Sequence, residues 1–136
     1  MTIAVNSKGQ NILSLFIFDP EQTLQNLQSA FSQVAKIADT FAIYEGGRAR
    51  QDLQSAEMAF TSVMSDIKNH NGPLRQNDVV CLRWWYDQIK RFVYYRVNGE
   101  MDVRVRRAYP GFPDDDFEIA DRKFKAAYRR LSHHAV

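Results

Sequence analysis

The sequence predicts a mainly α-helical, four-helix-bundle-like single domain over residues 1–136, with a short extended segment near its N-terminus. Three observations predict it. Apolar residues recur at alternating spacings of three and four in successive stretches, the signature of helices with one buried face. Groups of Gly, Pro, Asn and Asp punctuate the stretches where helices start and stop. A chain of 136 residues with 45% hydrophobic and 25% charged side chains has the length and apolar content of one folded domain.

Residues 1–10 are polar and read as loose. Asn11 to Phe18 is mostly apolar and fits either a short buried strand or a first helical turn. Asp19-Pro20-Glu21 is a helix start: the Asp carboxylate can accept from free N–H groups, and Pro suits the first turn. Leu24, Leu27, Phe31, Val34, Ala38 and Phe41 then form one stripe, predicting a helix from Pro20 to Tyr44. Gly46-Gly47 ends it, because a glycine can adopt the left-handed conformation that closes a helix. Leu53, Ala56, Phe60, Val63 and Ile67 predict a second helix from Arg48 to Lys68, antiparallel to the first because the link is short.

Asn69-His70-Asn71-Gly72-Pro73 reads as a loop, after which Asn77 or Asp78 can cap a third helix. Its body, Val79 to Val97, carries apolar and aromatic residues around most of its circumference, so it should be the most buried helix. A rival reading exists. Asn98-Gly99 lies between alternating residues, a strong hairpin signal, and would give an α+β fold with a hairpin at 92–106. Tyr109-Pro110-Gly111-Phe112-Pro113 is a rigid connector. Asp114-Asp115-Asp116 opens a last helix with Phe117, Ala120, Phe124, Ala127 and Leu131 on one stripe. Its acidic start and its Arg129-Arg130 end match the helix dipole.

Charge and motif content narrow the function. The net charge is only +2, but residues 1–74 sum to −2 and residues 75–136 to +4, so the basic character lies in the C-terminal half. No apolar run approaches the ~20 residues of a membrane span. No signal peptide or lipidation pattern is visible, and the single cysteine has no partner in its own chain. A cytoplasmic protein without membrane association is the expectation. Cys81, between Val80 and Leu82, reads as a small buried apolar residue rather than a nucleophile. His70, His133 and His134 lack metal-ligand spacing. Asp114 to Asp116 with Glu118 and Asp121 lack the Gly and distal Glu of a calcium loop. Gly46-Gly47-Arg48 lacks the ending of a phosphate loop. No cofactor or metal is expected, and no catalytic constellation appears. An enzyme would instead reveal itself by a deep polar pocket.

The remaining signal is aromatic and basic. Trp84-Trp85-Tyr86 and Tyr94-Tyr95 are interleaved with Arg83, Lys90, Arg91 and Arg96. Most of this cluster reads as core, with the arginines reaching water. Adjacent tryptophans on a helix point about 100° apart, so one can be core while the other meets a partner. Arg104, Arg106 and Arg107 form a compact basic site beside the Pro-Gly-Pro connector, or a solvated face balanced by Asp114 to Asp116. The expectation is a small non-enzymatic binding protein acting on a protein partner as an inhibitor, adaptor, chaperone or immunity-type regulator. Trp84, Tyr95, Arg96, Arg104, Arg106 and Arg107 are its candidate contacts. The alternative is nucleic-acid binding by the basic aromatic C-terminal half. Homo-oligomerisation is open to either, because the first two helices carry near-heptad stripes.

Overall fold

A computed structural model describes residues 18–42, 48–94 and 113–136. They form four helices: α1 Pro20–Ala42, α2 Ala49–Asn69, α3 Gln76–Tyr94 and α4 Asp114–His134. No strand occurs among the described residues. Asn11 to Ile17, the Gly46-Gly47 turn and residues 95–112 lie outside them.

The helices alternate in direction. Lys68 of α2 reaches Gln28 of α1, while Arg50 meets Asp39. Early α1 therefore faces late α2, and late α1 faces early α2. The same logic orders α3 and α4, where Gln76 reaches Ser132, Arg83 lies over Tyr128 and Tyr86 bonds Asp121. Phe18 stacks on His134, which sets the start of α1 beside the end of α4. This is a four-helix bundle, with each helix contributing its apolar stripe to one shared core.

The stripes hold in detail. Leu24, Leu27, Phe31, Val34 and Ala38 of α1 are buried, as are Phe117, Ala120, Phe124, Ala127 and Leu131 of α4. In α2, Leu53, Ala56, Phe60 and Ile67 are buried; Met64 joins them, and Val63 is only partly covered. One ring from each helix lies on a continuous path through the core. Phe31 stacks on Phe60 at 3.6 Å, Phe60 meets Phe124 at 6.3 Å, and Phe124 stacks on Tyr86 at 3.5 Å. The near-heptad stripes of α1 and α2 are thus used within the chain's own core.

Two helix starts are instructive. The Gln22 N–H donates to Asp19 Oδ1 at 3.1 Å, and the Thr23 N–H and hydroxyl both donate to the Asp19 carbonyl, so α1 is capped as its sequence implies. α3 is not capped by Asn77 or Asp78. It begins at Gln76, whose N–H donates to the Val136 carbonyl at 2.8 Å, while the Val136 N–H donates to Leu74. The end of the chain thus supplies an acceptor that no local pattern shows. Asp78 instead takes the Arg75 guanidinium at 2.7 Å.

α3 also departs from its expected burial. One stripe of it is buried (Val79, Leu82, Tyr86, Ile89, Val93), but Val80, Cys81 and Trp84 are exposed. The reason is geometric. The other helices cover only one side of α3, so its apolar excess has nowhere to go. Cys81 is therefore a surface thiol. Because α3 continues through Tyr94, the strand proposed to begin at Phe92 does not form there, and residues 95–106 of that alternative lie outside the described residues.

Candidate interaction surface

The outer face of α3 leaves two large apolar side chains in water. Trp84 is 53% exposed and Val80, one turn earlier, is 47% exposed. They share a face because residues four apart on a helix are neighbours. Trp85 points about a quarter-turn away and packs partly against the core, and its ring meets Trp84 edge-on at 4.6 Å. The two indoles thus divide as their spacing implies. The edge contact limits the rotamers of Trp84 and holds an exposed aromatic plate in place.

Beside that plate runs a shallow groove of about 410 Å³ between α2 and α3. Ala56, Trp85 and Phe92 give it an apolar lining. Asp52 contributes a carboxylate and Arg91 a guanidinium, so it offers both signs of charge next to an apolar strip. Of the six residues singled out from sequence, the structure places Trp84 here. Tyr95, Arg96, Arg104, Arg106 and Arg107 lie outside the described residues.

On its other side, α3 is closed against α4 by a cluster the sequence did not disclose. Asp121 is only 5% exposed. Tyr86 donates its hydroxyl to Asp121 Oδ1 at 2.6 Å. Lys90 Nζ lies 3.0 Å from the same oxygen, and Lys125 Nζ lies 2.8 Å from Oδ2. Burial pushes the Asp121 carboxyl up, but hydrogen bonds from Lys125, Tyr86 and Lys90, with the Lys90 charge, outweigh it and hold the group below the ordinary carboxylate range. Asp121 is therefore an ionised, well-donated acceptor, suited to clamping two helices. Lys90 is turned inward to reach this carboxylate. Asp121 and Lys125 sit at i and i+4 on α4, a spacing that pairs side chains locally, but the Tyr86 and Lys90 contacts join distant parts of the chain and leave no sequence signal.

The outer face of α4 is cationic. Beyond its acidic first turn, Arg122, Lys123, Arg129 and Arg130 are all exposed, and exposed Lys125 beside them is paired with Asp121. Arg83 extends this field from α3, its guanidinium 5.3 Å from the Tyr128 ring centre and paired with Asp87. At the opposite end of the bundle from the Trp84 groove lies a larger cleft, about 950 Å³, between the start of α1 and the α2–α3 connection. Among the described residues no group of three His, Cys, Asp or Glu side chains could hold a metal ion, and no helix is long and apolar enough to cross a membrane. No family model, curated protein or solved structure matches this chain.

Proposed function

We propose that this chain is a non-enzymatic binding protein that captures a protein partner through the outer face of α3, as an inhibitor, adaptor, chaperone or immunity-type regulator. One observation carries the reading: Trp84 is held half-exposed beside exposed Val80, on a helix whose opposite stripe already fills the core. Leaving apolar area in water forgoes about 25 cal/mol per Å², and tryptophan is the side chain most enriched at interface hot spots. Asp52 and Arg91 at the groove edges supply the polar rim that gives such a contact its register.

The test is parallel affinity capture with the wild-type chain and with Trp84→Ala. Proteins retained by the first and lost by the second, at equal helicity, support the reading. Identical capture removes it. Replacing Arg104, Arg106 and Arg107 by Glu tests the other candidate contacts in the same assay.

A second reading rests on a different surface. The cationic face of α4 favours a polyanion, and nucleic acid is the alternative it supports. Binding there should weaken steeply as salt rises, because each neutralised phosphate releases counterion. Affinity for single-stranded DNA that is flat across salt, or absent at low salt, eliminates this alternative.

A further inference from the structure

The cleft at the far end of the bundle has the character of a preformed small-molecule site. Its volume, about 950 Å³, lies within the range of ligand pockets, roughly 300–1,000 Å³. Its apolar lining comes from Leu24 and Ile67, both nearly buried, and from Phe18 and Leu74, which pack on the core edge.

Three local devices fix its walls. Phe18 and His134 stack with ring centres 4.1 Å apart. The Val136 backbone bonds both Leu74 and Gln76, tying the loop to the end of the chain. Gly72, at φ +135°, lies against His70: a Cβ there would sit 3.3 Å from Nε2, so a side chain at this position would strain the backbone and crowd the imidazole.

The charge around the opening is uneven. Lys68 donates to the neutral Gln28 side chain at 3.2 Å, so that contact leaves its charge uncompensated. Arg75 is paired with Asp78 through Nε. His70 and His134 add imidazoles, and Glu21 adds one further carboxylate, on α1. Among the described residues neither imidazole is hydrogen-bonded to a carboxylate, so no acid–base pair is assembled. Donors thus gather on the α2–α3 side of an apolar floor.

We propose that this cleft binds a small amphiphilic carboxylate, with its alkyl or aromatic body over Leu24, Ile67 and Phe18 and its anionic head toward Lys68 and His70. The site is separate from the Trp84 face.

Octanoate, with octanol as its neutral counterpart, tests this on the full chain, followed by the NMR signals of the His70 and His134 rings. Octanoate should shift both rings saturably. Octanol should bind at least about threefold more weakly, for want of a charge-assisted contact. Lys68→Gln should weaken octanoate by roughly three- to tenfold and leave octanol unchanged. Lys68 is an exposed side chain, so the variant should keep wild-type helicity. Trp84→Ala should change neither. Equal binding of acid and alcohol, an unaffected Lys68→Gln variant, or no saturable shift at either imidazole would each overturn the proposal.

Discussion

The two flanks of α3 use aromatic residues in opposite ways. Toward α4, Tyr86 is fully buried, stacked on Phe124, and its hydroxyl is spent on Asp121. Toward solvent, Trp84 is two positions away yet exposed, steadied only by the edge of Trp85. Sequence proximity hides this difference, because two positions on a helix are about 200° apart. The comparison teaches that a dense aromatic run is not one feature. A ring whose polar atom is satisfied and whose faces are covered stabilises the fold. A ring left partly in water adds little to it and is available to a partner.

The strongest way to break the closed flank is Asp121→Ala. It strands two ammonium groups, one of them mostly buried, and should cost about 3–5 kcal/mol in denaturant unfolding. On the open flank, Trp84→Ala should weaken partner binding by about 2 kcal/mol or more, read by titration calorimetry against a captured partner. Tyr86→Phe sharpens the closed side. It removes one hydrogen bond to a charged acceptor and keeps the ring, for a loss of about 1.5–3 kcal/mol.

Acid should expose the same flank. Because the folded state holds Asp121 below its ordinary value of 3.8, its contribution to stability is complete above that pH and is lost as pH falls through the lower folded value. Asp121→Asn should therefore flatten the stability profile below about pH 4. Glu57 runs the other way. Burial, then the charge of Asp39, raise its pKa above 4.5, so protonating it as pH falls from above adds a small stabilising slope. The smallest effect is the stability change of Trp84→Ala itself, about 1 kcal/mol, mainly from the lost edge contact with Trp85.

What the sequence disclosed follows from the range of the interactions. Helix stripes are local, so Leu24, Leu27, Phe31, Val34 and Ala38 of α1 and the five stripe residues of α4 could be read, though not buried Ala30, Ala35 or Asp121. Asp19 announced the start of α1, and Phe41 lies outside the described side chains. On α2 the spacing placed Val63 on the buried face, where Met64 stands instead and Val63 is only partly covered. Interactions that close over long separations were invisible: the Val136 backbone that starts α3 and the Lys90 and Tyr86 contacts to Asp121. Expected burial failed on α3 because composition states how apolar a helix is, not how many neighbours are left to cover it. Cys81 went to the surface for that reason. The unequal exposure of Trp84 and Trp85 was legible through their angular separation. The α2 contribution to their groove, Asp52 and Ala56, was not.

One paired measurement separates the two flanks: the unfolding midpoint and the partner affinity of Trp84→Ala and Tyr86→Phe side by side. Trp84→Ala should lower the midpoint little and lose the partner, whereas Tyr86→Phe should unfold distinctly earlier and bind at full strength. A Trp84→Ala chain that binds undiminished, or that unfolds as early as Tyr86→Phe, would contradict this separation.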